Sequence, residues 1–391
     1  MENEILRPEI QQFIIENTFV EISKLALQKK VFSNVDYKSI LNQIEARAKS
    51  KTKLPSWFIT QNIVYPSKVS VEQTSSEITA KYKSQVITGE SIIDLTGGFG
   101  VDCFYFSKSF KKLVHCELNS DLSEIVSHNF KELKVSNCIC IDGDSTEILK
   151  KVNQKFDWIF IDPSRRNEVK GKVFMLKDCL PNVPDLQDFY FNYSDKILIK
   201  TAPFLDISAG LLELKKVKNI HIIAVENEVK ELLWEIDKNF IGELEIKTIN
   251  ITKTKNEYFN FKWNSTANCS LNSPQKYVYE PNAAIMKSGG FDEVGLQFDL
   301  KKLHKFSHLY TGNELIDFCG RVFEIEKTIN YSKFDMKTNL ENKKMNITTR
   351  NFPDSVENIR KKWKISEGGN QYCFFTTDKN DNKIALICKK I

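Results

Sequence analysis

Short apolar segments alternate with amphipathic ones between residues 91 and 225, and this alternation restricts the possible folds more than any other feature of the chain. The apolar segments are rich in β-branched and aromatic residues, whereas intervals such as 121–133 and 205–217 have apolar residues at helical spacing. The predicted strands are 91–95, 112–118, 137–142, 156–162, 196–200 and 220–225. Such alternation predicts a mostly parallel sheet with helices on both faces, joined by right-handed crossovers.

The segment before this alternation has the pattern of helices. Apolar residues recur at helical spacing through residues 8–48, where Pro8 suits a first helical turn and Asp36 suits an N-cap. Thr74 and Glu77 have the spacing of a capping box. We therefore expect helices up to the first strand of the sheet.

The segment after the alternation changes pattern again. Residues 243–251 and 257–263 are both strand-like, and no helical pattern separates them. Two such neighbouring runs predict an antiparallel hairpin, which would close one edge of the sheet.

The composition excludes several classes of protein. The chain has 391 residues, of which 41% are hydrophobic and 27% charged, as in ordinary globular proteins of two or three domains. No run approaches the roughly 20 apolar residues of a membrane span, and Glu2 and Glu4 stand where a signal peptide carries basic residues. The nine cysteines form no CxxC pair, which indicates free thiols in a reducing compartment. We expect a soluble cytoplasmic protein without a membrane segment.

The sequence DLTGGFG, at residues 94–100, directly follows the first predicted strand. Ligands of open parallel sheets bind beyond the carboxyl ends of strands, and glycines there let the backbone approach a ligand closely. A dinucleotide site would have another glycine three residues after Gly100, but Cys103 occupies that position. No GK[ST] follows either. The loop therefore lacks the spacing of a phosphate-binding loop, while a plain tight turn remains compatible with its glycines.

Acidic residues follow three consecutive predicted strands, namely Asp94, Glu117 and Asp144. A carboxylate after the second strand can accept both hydroxyls of a ribose. Each acid alone is more typical of a helix N-cap. Together with the glycine loop, however, their order fits a ligand with an amine or sulfonium centre, a ribose and an adenine but no phosphate, which is S-adenosylmethionine. The predicted cofactor-binding residues are Asp94, Thr96, Gly97, Gly98, Gly100, Glu117 and Asp144.

The fourth predicted strand ends in Asp162 and Pro163, followed by Ser164, Arg165 and Arg166. Methyltransferases that modify an amino nitrogen of a base have a (D/N/S)PP(Y/F/W) tetrapeptide at this place. Asp162 and Pro163 fit that pattern and are the predicted catalytic residues, whereas Ser164 and Arg165 depart from it. Arginines suit a phosphate or carboxylate, or stacking on a base, so Arg165 and Arg166 are predicted substrate-binding residues. Pairing of both arginines with acids of the loop is the alternative interpretation.

Several of these motifs together resemble one known family. It comprises bacterial class I S-adenosylmethionine-dependent methyltransferases with C-terminal ferredoxin-like and THUMP-like domains, whose core is similar to RNA cap guanine-N2 methyltransferases. The motifs that carry the resemblance lie at 69–83, 94–102, 161–166, 225–234, 276–291, 302–315, 350–353 and 359–364. The resemblance implies the cofactor roles given above and a substrate-side role for Asp162 and Pro163.

The resemblance also implies a domain organisation within an α/β fold. A Rossmann-like class I methyltransferase sheet, mostly parallel with an antiparallel last strand, would follow an N-terminal helical region and precede small α+β domains. The expected boundaries are 1–88 for the helical region, 89–265 for the methyltransferase domain, 276–320 for the ferredoxin-like domain and 321–391 for the THUMP-like domain.

RNA is the partner that the C-terminal part of the sequence favours. THUMP domains bind RNA, and residues 321–391 contain 15 basic and 9 acidic residues, a net charge of +6. Lys361, Lys362 and Lys364 surround Trp363 and are predicted to contact the substrate. Trp363 itself is more typical of a core residue than of a stacking platform.

Three functions therefore compete. The leading hypothesis is a methyltransferase that acts on a base of structured RNA, such as rRNA or tRNA. The alternatives are an RNA-binding protein that keeps the cofactor fold without turnover, and a methyltransferase for a small molecule or a protein. We expect no metal site, because His304 and His308 could share one helical face but no third ligand is evident.

Overall fold

The computed structural model describes residues 4–27, 32, 35–66, 68–165 and 175–391, with the backbone alone at residues 68–70 and 165. Its helices are α1 (Pro8–Glu16), α2 (Ile22–Ala26), α3 (Tyr37–Lys53), α4 (Pro55–Ile59), α5 (Lys68–Gln73), α6 (Glu77–Val86), α7 (Val101–Phe106), α8 (Ser120–Glu132), α9 (Ser145–Val152), α10 (Val183–Tyr190), α11 (Ile207–Glu213), α12 (Ala283–Ser288), α13 (Phe291–Gln297), α14 (Lys333–Asn339) and α15 (Val356–Trp363), with a 3₁₀ turn at Leu176–Asp178. No helix in these ranges has the length and apolar character that crossing a membrane requires.

The strands run through the same described ranges. They are β1 (Ser91–Asp94), β2 (Lys112–Glu117), β3 (Cys138–Asp142), β4 (Trp158–Ile161), β5 (Ser164–Arg165), β6 (Cys179–Leu180), β7 (Lys196–Thr201), β8 (Val217–Val225), β9 (Glu228–Asp237), β10 (Glu245–Ile251), β11 (Asn256–Lys262), β12 (Tyr277–Pro281), β13 (Lys301–Lys302), β14 (Tyr310–Gly312), β15 (Gly320–Asn330), β16 (Asn346–Arg350), β17 (Gln371–Thr377) and β18 (Lys383–Lys390).

The chain forms two compact units. The first comprises Met1–Lys218 and Leu233–Ile241, and the second comprises Asn219–Leu232 and Gly242–Ile391.

In the first unit, five strands are parallel and run in the order β7-β4-β1-β2-β3. Ile93 in β1 pairs with Val114 on one side and with Ile159 on the other. The chain therefore proceeds outward in opposite directions from β1, so the strand order reverses between β1 and β4. Crevices at such reversal points are where open α/β sheets bind ligands. The predicted parallel sheet is confirmed.

Among the described residues, six helices precede the sheet, in agreement with the prediction, although their details differ from it. Asp36 caps α3, since its carboxylate accepts a hydrogen bond from the Lys38 N–H at 3.1 Å. The cap of α6 is Ser76 rather than Thr74, because the Ser76 hydroxyl accepts from the Thr79 N–H at 3.2 Å. Glu77 serves another purpose: its carboxylate accepts from the Tyr105 hydroxyl at 2.6 Å. The helix was predicted correctly from a spacing that does not form the predicted box.

In the second unit, β8 pairs parallel with β10, and β10 pairs antiparallel with β11 over seven residues. The predicted antiparallel hairpin is thereby confirmed. The sequence pattern did not predict β9, because five of the ten residues in Glu228–Asp237 are charged and the segment lacks the compact apolar run of the other strands.

A seven-stranded sheet of order β13-β14-β12-β15-β18-β17-β16 forms the rest of the second unit. Its pairs are antiparallel apart from β16 with β17, whose parallel arrangement needs the crossover through α15. The long strand β15 pairs with β12 over Tyr277–Pro281 and then with β18. The segments predicted as ferredoxin-like and THUMP-like therefore share a single sheet.

Candidate active site

The predicted glycine loop leaves β1 and passes directly over β2. The Gly97 N–H donates to the Cys116 carbonyl at 2.7 Å, and the ring Nε2 of buried His115 lies 3.2 Å from the Gly98 carbonyl. A Cβ at Gly97 would overlap the His115 imidazole. This glycine is therefore required by packing against the strand beneath the loop.

Gly98 has a different role from Gly97. Its φ of 51° lies in the left-handed region, and an added Cβ would have the Thr96 carbonyl oxygen, at 3.8 Å, as its nearest neighbour. The space on this side of the loop is therefore open, unlike the space beside Gly97 and Gly100, where His115 and Phe130 would obstruct a side chain. Backbone without a Cβ beside open space is what close approach of a ligand requires.

Thr96 connects the ends of the two strands at the reversal point. Its N–H donates to Asp94 Oδ1 at 2.9 Å, and its hydroxyl oxygen accepts from the Asp162 N–H at 2.6 Å. The loop after β1 and the loop after β4 are thereby fixed to each other. Because Thr96 was predicted only as a cofactor contact, this connecting role is new information from the structure.

Asp94 is buried beneath the loop. Its Oδ2 accepts a hydrogen bond from the Cys103 thiol at 3.3 Å, in addition to the Thr96 N–H on Oδ1. Burial raises the pKa of Asp94 to about 7, although the Thr96 N–H opposes that shift. A cation placed nearby would favour the charged carboxylate, so this residue is poised to respond to a cationic ligand.

Glu117 ends β2 and faces the loop. Its Oε2 accepts from the Gly98 N–H at 3.0 Å, and its Oε1 accepts from the Asn119 N–H at 2.8 Å. Leu118, the next residue, is 74% exposed. A carboxylate fixed beside the open glycine and an exposed apolar side chain next to it match a ribose and a flat ring, respectively.

Asp144 caps α9. Its Oδ1 accepts from the N–H groups of Thr146 and Glu147 at 2.9 and 3.1 Å, and from the Thr146 hydroxyl. Hydrogen bonding to Thr146 lowers the pKa of Asp144, despite some desolvation. The capping role, which the sequence also suggested, is therefore present. A contact with adenine stays a prediction.

Asp162 follows β4, and its carboxylate pairs with the Lys200 ammonium. Lys200 lies at the end of β7, and its side chain is only 11% exposed, whereas that of Asp162 is 35% exposed. Pro163 beside it is buried. The parallel arrangement of β4 and β7 brings this acid and this base together, because the ends of parallel strands meet at one edge of the sheet.

The departure from the amino-methyltransferase tetrapeptide has a local structural counterpart. Ser164 and Arg165 form the short strand β5, which pairs antiparallel with Leu180 and Cys179. The side chain of Arg165 and the whole of Arg166 lie outside the described residues. Their predicted contacts with substrate remain predictions.

The C-terminal lysines predicted to contact substrate lie at the end of α15 and just after it. Lys362 is 3.4 Å from the Tyr331 hydroxyl and 3.9 Å from the Asp354 carboxylate, while Lys361 and Lys364 are exposed. Trp363 is buried in an apolar cluster and is a core residue in this structure. These lysines belong to the second unit, and their contact with substrate stays a prediction.

His304 and His308 do not share a helical face, because residues 303–308 form turns between β13 and β14. His304 hydrogen-bonds Asp381 and Asn351 at 2.9 and 2.8 Å. Within the residues that the structure describes, no group of three or more His, Cys, Asp or Glu side chains has an arrangement that could hold a metal ion.

The structure therefore brings together Asp94, Thr96, Gly98, Glu117 and Asp162, which were all selected from the sequence. Sequence reasoning missed Lys200 and Leu118. The signal for Lys200 was a lysine at the end of the otherwise apolar run KILIK, and the signal for Leu118 was a leucine beyond the end of a strand. Neither feature by itself predicts which group the side chain contacts, because that depends on which strands are neighbours in the sheet.

Comparisons with known proteins extend this description. Residues 57–178 match the family model described as conserved hypothetical protein 95, residues 277–318 match a ferredoxin-like domain, and residues 320–390 match a THUMP domain-like model. A crystal structure from Porphyromonas gingivalis W83, described as that of a candidate methyltransferase, has 29% sequence identity and a TM-score of 0.89, with coverage of 100% of this chain and 98% of that chain. The fold is that of the class I methyltransferases. The predicted resemblance to members with ferredoxin-like and THUMP-like domains is confirmed.

Two curated proteins are similar in sequence to parts of this chain. An uncharacterized RNA methyltransferase of Clostridium acetobutylicum is 30% identical over 99 residues, and another of Clostridium tetani is 34% identical over 155 residues. The matched regions cover 24% and 38% of this chain and 22% and 33% of those relatives. The chain thus matches a third or less of the length of the curated relatives.

Proposed function

We propose that this protein is an S-adenosylmethionine-dependent methyltransferase that acts on a base of structured RNA. The observation that supports the proposal most is the group of hydrogen-bonded residues around Gly98. The Glu117 carboxylate is hydrogen-bonded to the Gly98 N–H, and Thr96 joins Asp94 to the backbone of Asp162 at the reversal point of the sheet.

The residues present fit this cofactor. Open space at Gly98 admits a ligand, Glu117 can accept ribose hydroxyls, and exposed Leu118 offers an apolar surface to adenine. Asp94 would support the cationic end. When bound, the cofactor supplies the methyl group, which leaves positioning and proton removal to the protein.

Asp162 and Lys200 are the proposed acceptor-side residues. The Asp162 carboxylate, partly exposed, would accept a proton or hydrogen bond from the amino group of a base, and Lys200 holds that carboxylate in place. RNA as substrate is supported by the curated relatives, which are named RNA methyltransferases, and by the match of residues 320–390 to a THUMP domain-like model.

Cofactor binding is tested first. Calorimetric titration of the protein with S-adenosylmethionine should show saturable binding, and Glu117→Ala should weaken it at least tenfold, since a ribose contact to a charged group contributes about 1.5–3 kcal/mol. The control is Glu124→Ala, which removes an exposed carboxylate from α8. Absence of binding by the wild-type protein would refute the proposal.

Turnover is tested with RNA from a strain that lacks the gene. Incorporation of a labelled methyl group should fall at least a hundredfold in Asp162→Ala, in keeping with general base catalysis.

A second candidate function is that of an RNA-binding protein without turnover. The ion pair with Lys200 favours this candidate, because the pair occupies the Asp162 carboxylate. Wild-type protein that binds cofactor and RNA but transfers no methyl would support this second candidate.

A further inference from the structure

The short helix α4 has two different faces. Trp57 points inward, fully buried, with its ring 4.8 Å from that of Phe104 and 6.1 Å from that of Phe99, which lies between Gly98 and Gly100. Ile59, two residues further on, is 78% exposed. The N-terminal helices therefore pack directly on the glycine loop and present other side chains to solvent.

The solvent side of α4 continues into a cluster that we call the aromatic–basic surface, formed by Phe19, Arg47, Lys51, Phe58 and Ile59. The rings of Phe19 and Phe58 are 6.2 Å apart. The Arg47 guanidinium lies 4.4 Å from the Phe58 ring centroid, and the Lys51 ammonium lies 4.5 Å from that of Phe19. Phe19 is nevertheless 65% exposed. Phe19 and Ile59 are thus exposed near the Lys51 ammonium, whereas Arg47 is half-buried and its Nε atom is inaccessible to solvent.

Charge distinguishes this surface from an ordinary apolar patch. Residues 47–53 contain four basic residues and no acidic one. Two of these basic residues interact with Glu72. Its carboxylate pairs with the Lys49 ammonium at 3.2 Å, and its backbone carbonyl accepts a hydrogen bond from the Lys53 ammonium. Over the described part of the chain, Lys51 has no carboxylate within ion-pairing distance. Basic residues at the end of α3 suit the helix dipole, but that does not explain the exposed Phe19 and Ile59.

We infer that the aromatic–basic surface binds unpaired nucleotides of an RNA, with exposed Lys51 at a phosphate and Phe19 stacked on a base. A single-stranded nucleotide offers an anionic phosphate and a flat ring side by side, which is the complement of this cluster. The inference rests on the proposed function, which it deepens by giving the RNA a second place to bind. Through Trp57 and Phe99, this place adjoins the glycine loop.

The test uses full-length protein and a fluorescein-labelled RNA hairpin with an unpaired loop, with affinity measured by anisotropy at several salt concentrations. Phe19→Ala should lower affinity roughly 5- to 100-fold, as for loss of one stacked base. Lys51→Gln should reduce the slope of log affinity against log salt by about 1. Lys38→Gln, an exposed lysine at the other end of α3, is the matched control and should leave both quantities unchanged.

Separate measurements keep this inference distinct from the proposed function. Thermal unfolding and calorimetry with S-adenosylmethionine should give the wild-type result for each variant. Unchanged RNA affinity in both Phe19→Ala and Lys51→Gln would overturn the inference and leave the proposed function intact. A wild-type protein that binds no RNA would refute both. If Phe19→Ala instead converts a dimer to a monomer in sedimentation without altering RNA affinity, the surface joins two copies of this chain and the inference is wrong.

Discussion

The open space beside Gly98 leads to a specific prediction about cofactor affinity. Gly98→Ala should abolish most cofactor binding because a methyl group would occupy the open space beside the loop. Gly289→Ala is a matched control, since Gly289 also has a positive φ, 77°, with no atom within 4 Å of an added Cβ. Both variants should lose about 1 kcal/mol of stability from backbone strain. Calorimetry should show a loss of affinity in Gly98→Ala alone, and equal affinities would contradict the assignment.

Asp94 predicts a dependence on pH. Because its pKa in the folded protein is about 7 against 3.8 ordinarily, the folded state holds a proton that the unfolded state releases between those values. The contribution of Asp94 to stability therefore falls as pH rises from about 4 to about 7. Asp94→Asn should remove this fall, so its melting temperature relative to wild type should be higher at pH 8 than at pH 5. A constant difference across that range would contradict the raised pKa.

The same residue affects ligand binding in the opposite sense. If a cationic cofactor needs the charged carboxylate, its affinity should fall by up to about tenfold per pH unit below pH 7. Calorimetry at pH 5.5 to 8, with Asp94→Asn for comparison, measures this dependence. A flat profile in the wild type would exclude Asp94 as the group that senses the cation.

At the scale of elements, α6 and α7 are joined by a buried ion pair. Lys83 is fully buried in α6, and its ammonium lies 3.1 Å from Asp102 Oδ1 in α7 and 3.1 Å from the Ser75 hydroxyl. The Ser75 hydroxyl in turn donates to Asp102 at 2.8 Å. Because α7 begins directly after Gly100, this pair fixes the helix that follows the glycine loop.

Removal of one partner from that pair should be strongly destabilising. Lys83→Met leaves the Asp102 carboxylate uncompensated, and we expect a loss of roughly 3–5 kcal/mol in the free energy of unfolding. Lys81→Met, exposed on the same helix, should change it by less than about 0.5 kcal/mol. Denaturant unfolding measures both. The double variant Lys83→Met with Asp102→Asn should recover much of the loss, and failure to do so would indicate a packing defect rather than an unpaired charge.

At the scale of the whole molecule, a single carboxylate joins the ferredoxin-like and THUMP-like segments within the second unit. Glu280 is 3% exposed, and its Oε2 accepts from Arg321 Nε at 2.7 Å while its Oε1 accepts from Arg350 Nη2 at 2.9 Å. Glu280 belongs to β12, whereas the two arginines belong to β15 and β16. The shared sheet and this ion pair make the two segments one structural unit.

Glu280→Gln should therefore destabilise both segments together. The arginines are about one-third exposed and can be solvated, so the expected loss is roughly 1–3 kcal/mol rather than the larger value for a fully buried charge. Glu367→Gln, exposed beyond α15, is the control. Hydrogen exchange followed by mass spectrometry should show faster exchange in β12 and in β16. Protection lost in one segment alone would contradict a shared unit.

The sequence by itself determined the parallel sheet, the antiparallel hairpin after it, and the acids and glycines at the edge where the strand order reverses. It could do so because these features depend on local periodicity and on residues next to strand ends. Tertiary structure alone decided the rest. It paired Lys200 with Asp162, placed Thr96 between two loops, united the C-terminal segments in one sheet and exposed Phe19 beside Lys51. Each of these contacts joins residues distant in sequence, and their proximity follows from strand order and packing, which no local pattern specifies.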